Sequence, residues 1–161
     1  MVFTGFQTWI GQVDIKSSSV NFYVQRNVNF NTTGTPIPFD VEKLNVGGAM
    51  NSTSGKFTAP RDGIYSFSFT GFPRLPASSS TVFLRVLMYL NGNVIGRGYA
   101  DEVGSTTTMQ YETLSFQSTF NLQKGDDIWL EINGMSTGTY LNGGLYTHFS
   151  GHLLAEKIAL A

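Results

Sequence analysis

The stretch FTAPRDGIYSFSFTGF, residues 57–72, constrains the fold of this chain more than any other. Tyr65, Phe67 and Phe69 alternate with Ser66, Ser68 and Thr70, which places three rings on one face of an extended segment and three hydroxyls on the other, the pattern of a half-buried strand. The turn in front of it is equally legible. Pro60 fixes φ and removes a backbone donor, and Arg61-Asp62-Gly63 then supplies the Asx and positive-φ chemistry that a reversing chain needs before it pairs.

The same rhythm recurs along the chain. Strands are predicted over residues 19–26, 35–39, 56–58, 63–72, 81–90, 94–101, 110–122, 127–133 and 145–155, with turn signals between them. Asn91-Gly92 is the strongest hairpin signal, because both positions of a type I′ turn take positive φ, so the strands on either side should be antiparallel neighbours. Lys124-Gly125-Asp126 leads into Ile128, Leu130 and Ile132 on one face, with Trp129 and Glu131 on the other. Segment 81–90 is apolar on both faces: Val82, Leu84, Val86 and Met88 oppose Phe83, Leu87 and Tyr89. Such a strand lies against another subunit or is covered locally by its own chain.

Composition agrees with an all-β sandwich. Eighteen glycines and 14% aromatic residues suit short strands joined by tight turns, and 161 residues with 41% hydrophobic content suit one domain. A charged fraction of 13% and a net charge of -1 leave no electrostatic footprint for nucleic acid. The absence of cysteine excludes a disulfide framework, a Cys-based zinc site and a thiol nucleophile. No segment has the roughly 20 apolar residues of a membrane-spanning helix, so no membrane insertion is expected. Residues 1–18, with Phe3, Phe6, Trp9 and Ile10 interrupted by Gly5 and Gly11, read as an N-terminal arm or stalk remnant. Residues 19–156 read as the globular domain and 157–161 as a tail.

Catalytic chemistry is sparse. His148 and His152 are four residues apart, which on a strand puts both on one face, but no Asp or Glu flanks them at zinc-site spacing; they read as surface or subunit-interface histidines. Asp14, Asp62, Asp101, Glu102, Asp126 and Asp127 are strand-end or loop acids without a calcium motif. Gly92, Gly96 and Gly98 surround a hairpin and not a strand-to-helix turn, which removes a phosphate-cradling reading. No nucleophile elbow or paired acid and base stands out, and no enzyme or cofactor is expected. Two N-x-S/T sequons begin at Asn31 and Asn51.

Residues 39–69, FDVEKLNVGGAMNSTSGKFTAPRDGIYSFSF, resemble the signature of the complement C1q globular-head family. Phe39, Asn45, Phe57, Gly63, Tyr65, Phe67 and Phe69 match it in one frame, while Met50 departs from the usual aromatic or Leu with a side chain that fills the same gap. LQKGDDIWLEI at 122–132 and HFSGHLL at 148–154 resemble the family's last two strands, so the resemblance covers about residues 19–156. It implies a ten-stranded antiparallel jelly-roll β-sandwich, close to the tumour-necrosis-factor fold and assembled as a homotrimer. The row Tyr65, Phe67 and Phe69 would pack centrally with Phe57 and Phe149, and Gly63 would start a strand where a side chain would obstruct it. Calcium occurs in some members, but no local motif here carries it over.

The function so implied is a secreted, extracellular recognition module of innate immunity that binds glycans, proteins or microbial surfaces. Candidate contacts lie in loops 71–80, 101–108 and 135–144, with Tyr140 the aromatic suited to a sugar face. The alternatives are a structural matrix or assembly protein and a secreted ligand for a cell-surface receptor.

Overall fold

The computed structural model describes residues 18–104 and 107–157. The arm expected at 1–18 and the tail at 157–161 lie outside the described residues, apart from Ser18 and Lys157. Among the described residues all regular elements are strands, and there is no helix long and apolar enough to cross a membrane.

Five strands form the first sheet. They are β1 (Asn21–Arg26), β2 (Val41–Val46), β5 (Gly63–Gly71), β10 (Leu114–Leu122) and β13 (Thr147–Glu156), in the order β10-β5-β13-β1-β2. The second sheet holds β3 (Met50–Asn51), β4 (Lys56–Thr58), β7 (Val82–Leu90), β8 (Asn93–Glu102) and β11 (Asp127–Met135), in the order β3-β4-β11-β7-β8. Every neighbouring pair in these two sheets is antiparallel. These ten strands make the expected jelly-roll sandwich. A third, small sheet, β12-β6-β9, was not expected; it joins β6 (Pro73–Leu75), β9 (Gln110–Tyr111) and β12 (Tyr140–Leu141).

The aromatic row of the opening stretch is the centre of the core. Tyr65, Phe67 and Phe69 are buried on the inner face of β5, together with Phe149 of the adjacent β13 and Phe22 of β1 beyond it, against Phe57, Leu84, Val86, Met88, Ile128, Leu130 and Ile132 of the second sheet. The Tyr65 hydroxyl donates to the Arg61 carbonyl at 2.9 Å, so the polar end of this buried ring is satisfied by the turn that precedes it. Burial is the main cause raising the Tyr65 pKa above its ordinary value.

Glycines set two close approaches. At Gly63 a Cβ would lie 2.5 Å from the Ala155 carbonyl oxygen. At Gly98 it would lie 2.4 Å from Leu114 Cδ2 and 2.7 Å from Phe116 Cδ1, so a bare backbone lets the edge strands β8 and β10 of the two sheets close on each other. Asn91 and Gly92 take φ of 49° and 88° between antiparallel β7 and β8, as a primed hairpin turn requires.

Several predicted boundaries move. Segment 35–39 is not a strand: Pro36 and Pro38 lack the donors for a continuous ladder, and a single antiparallel bridge of Pro36 with Glu131, closed by the Ile37 amide on the Leu130 carbonyl at 2.8 Å, anchors it along β11. The edge strand β2 was missed because VEKLNV has no apolar alternation; most of it is exposed. Predicted strand 110–122 divides at Glu112–Thr113 into β9, which joins the small sheet, and β10. The two-sided apolar strand β7 is covered by its own chain. Its outer Leu87 is only 5% exposed, and Phe83 and Tyr89 stack on Tyr99 and Trp129.

Candidate functional site

Strand alternation on the first sheet gives its outer face a polar middle. Ser66, Ser68 and Thr70 of β5 point outward with His148, Ser150 and His152 of β13 and Asn21, Tyr23 and Gln25 of β1. The two histidines do share this face, with Cα partners Gln25 and Thr70 for His148 and Asn21 and Ser66 for His152. The Tyr23 ring lies edge-on to His148 at 5.7 Å. Partial burial lowers the His148 pKa, because the cation loses hydration without gaining a counter-charge. Among the described residues no group of three or more His, Cys, Asp or Glu is placed to hold a metal ion.

Apolar side chains flank this middle. At the end of the sheet near Ser18 and Lys157, Ile64, Leu154, Leu44 and Val46 are exposed. At the opposite end, two residues beyond Thr70 and two before His148, Phe72 and Tyr146 continue the same face with ring centroids 5.1 Å apart, and Phe72 also stacks on Tyr111 at 5.4 Å. Tyr146 is 58% exposed. Beside it Leu145 is held at φ 69°, a left-handed conformation that costs a residue with a Cβ about 1 kcal/mol or more. Backbone bonds from Gly144 to the Asn27 carbonyl at 2.9 Å and from Leu145 to the Arg26 carbonyl at 2.8 Å impose it. Gly143 makes this docking feasible, since a Cβ there would lie 2.3 Å from the Asn27 carbonyl. The chain thus spends conformational energy to hold an exposed Leu-Tyr pair in place.

The small sheet gathers the predicted contact loops. Loop 71–80 contains β6, loop 135–144 contains β12, and β9 follows loop 101–108, of which residues 105 and 106 lie outside the described set. Gly104 packs so closely on Ser79 and Ser80 that a Cβ would come within 2.6 Å of their backbone. Pro73, Leu75 and Leu141 point into the protein, while Tyr140, Arg74 and Tyr111, paired in register across the three strands, point outward. The Arg74 guanidinium lies over the Tyr140 ring at 5.5 Å, with Nε directed to Met109 Sδ and Nη1 to the Gly138 carbonyl, each at 3.3 Å. Tyr140 is therefore part of an exposed aromatic and cationic surface. Sequence reasoning missed Arg74 because its partners come from chain segments far apart.

The signature positions lie elsewhere. Phe39, Phe57, Tyr65, Phe67 and Phe69 are core residues, and Gly63 is the close approach of β5 to β13. Asn45 closes the Gly47-Gly48 turn through its side chain, donating to the Met50 carbonyl at 2.8 Å and accepting from the Met50 amide at 3.3 Å. Both sequon asparagines are exposed.

Comparison with known proteins agrees with this architecture. A relative, Caprin-2 of Danio rerio, is 31% identical over 139 residues, covering 85% of this chain and 14% of that protein. Complement C1q tumor necrosis factor-related protein 3 of Mus musculus is 28% identical over 138 residues, covering 85% of this chain and 52% of the relative, so the chain spans about half or less of these relatives' length. The solved globular domain of zebrafish complement 1qA protein superposes with a TM-score of 0.61 at 20% identity, over 86% of this chain and 99% of that one. The pattern that defines the C1q domain matches residues 21–154, and on these grounds the chain belongs to the C1q domain family, whose domains are non-enzymatic recognition or signalling modules.

Proposed function

We propose that this chain is a secreted C1q-domain recognition module of innate immunity. It assembles as a homotrimer through the outer face of its first sheet and presents the small sheet to a glycan, protein or microbial surface. The observation that carries the assembly is the ring pair Phe72 and Tyr146 beside strained Leu145, exposed on a face whose middle is Ser, Thr and His. Contiguous exposed apolar surface of this kind marks an interaction site, and strain is retained where function repays it. A shallow ligand site gains from this arrangement, because three linked copies raise avidity by orders of magnitude without new contacts.

Light scattering at micromolar concentration tests it: the expected mass is three times 17.7 kDa at neutral pH. A monomer at every concentration up to about 100 μM contradicts the assembly, since obligate interfaces bury on the order of 2,000 Å² or more and survive dilution. Leu145→Asn should separate strain from use. Asn tolerates the left-handed region, so protomer stability in urea is expected to rise by about 1 kcal/mol while the trimer dissociates at higher protein concentration than wild type.

Acid gives a third test. The His148 pKa is lowered in the fold, so its neutral form contributes stability that is complete above the unfolded value near 6.5 and is lost as pH falls below it. A subunit packed over this half-buried ring desolvates it further, with His152, Tyr23 and Tyr146 among the titratable groups on the face. The mass is expected to fall between pH 7.5 and pH 5, and His148→Gln to flatten that dependence. A wild-type mass independent of pH would place His148 outside the contact.

A further inference from the structure

The small sheet carries a cation without an anion. Arg26 is buried near Asp40, Arg61 pairs with Glu156 at 2.9 Å, and Arg85 donates to Asn133 at 2.7 Å. Arg74 instead meets two weak neutral acceptors, and among the described residues no carboxylate forms an ion pair with it. Its guanidinium lies over the Tyr140 ring, on the strand position paired with Tyr111, and Nη2 has no protein acceptor among the described residues. A planar fork fixed in this way suits the two oxygens of a carboxylate, and the flanking rings suit the C–H face of a pyranose.

We propose that Arg74, Tyr140 and Tyr111 form a binding site for a glycan unit bearing a carboxylate. This rests on the small sheet being the ligand-contacting end, and deepens that reading by naming the ligand class. Charge complementarity selects an anion. The shape of the sheet selects a compact sugar over an acidic peptide, because edge strands β9 and β12 are two residues long and too short to pair with an added strand. Arg74 meets the carboxylate through Nη2 and the second N–H of Nη1, and Tyr140 both orients the guanidinium and packs on the sugar ring. Lysine cannot replace that planar donor set.

Biolayer interferometry with immobilised glucuronate-terminated and glucose-terminated oligosaccharides of the same backbone tests the site. Wild type is expected to bind the glucuronate form at least about tenfold more tightly, a preference that weakens with salt. Arg74→Gln is expected to abolish the preference, Arg74→Lys to leave only a small part of it, and Tyr140→Ala to weaken binding of both forms about tenfold. Both substituted side chains are outward, so melting curves should stay near wild type and exclude misfolding as the cause. Equal binding of the two oligosaccharides, an undiminished preference in Arg74→Gln, or tighter binding of an acidic peptide would overturn the proposal. The site lies within one protomer, so the preference is measurable even on a monomer. Failure of trimeric assembly and failure of this site are therefore separate results.

Discussion

Replacing Phe67 by alanine is expected to remove about 3–5 kcal/mol of unfolding free energy, out of the 5–15 kcal/mol that such a domain possesses. Phe67 is 1% exposed, and its ring lies 5.2 Å from Phe57, 6.0 Å from Phe149, 6.3 Å from Phe22 and 6.4 Å from Tyr65. These rings come from β1, β4, β5 and β13, so truncation opens a cavity where both main sheets meet, and aromatic neighbours on short, bonded strands have little freedom to fill it. Thermal unfolding should shift down by on the order of 10 °C. Ser68→Ala, at the next position on the outer face, should change little by comparison. A Phe67→Ala shift as small as that of Ser68→Ala would mean that the aromatic cluster is not the stabilising centre of the sandwich.

The second large effect is expected at Gly151, from too much volume. Gly151 sits between Phe22 of β1 and Phe67 of β5 in the strand register, and a Cβ there would lie 2.6 Å from ring atoms of both. Its backbone φ is not in the left-handed region, so the constraint is space alone. Gly151→Ala should cost about 1–3 kcal/mol by forcing two buried rings off their positions, and Gly151→Val more. The mechanism has its own check. Phe67→Leu removes the ring that a new methyl would strike, so the double variant Gly151→Ala with Phe67→Leu should be at least about 0.5 kcal/mol more stable than the sum of the single effects implies. Strict additivity in urea denaturation would rule out the steric clash as the cause.

The two predictions concern residues of different legibility. The role of Phe67 is readable in YSFSF, because a period of two and a preceding Pro-Arg-Asp-Gly turn are local properties of the chain. The requirement at Gly151 is not, since nothing in HFSGHLL states which rings its neighbours across the sheet will carry. The same division holds for the candidate sites. His148 and His152 could be placed on one face from their spacing, and Tyr140 could be assigned to an exposed loop. That Tyr111 of β9 lies beside Arg74, or that Phe72 and Tyr146 form one ring cluster, follows from pairings between segments 35 or more residues apart.

By itself the sequence determined the all-β class, the central aromatic row, the Asn91-Gly92 hairpin and the C1q-like frame, because each depends on side-chain alternation or turn chemistry within a few residues. Only the tertiary structure decided that Leu87 is covered by its own sheet, that 35–39 follows β11 without joining it as a strand, and that Arg74 lies over Tyr140 with no carboxylate beside it among the described residues. The physical reason is that burial, close approach and charge pairing are properties of neighbours in space, and in a jelly roll those neighbours are mostly distant in sequence.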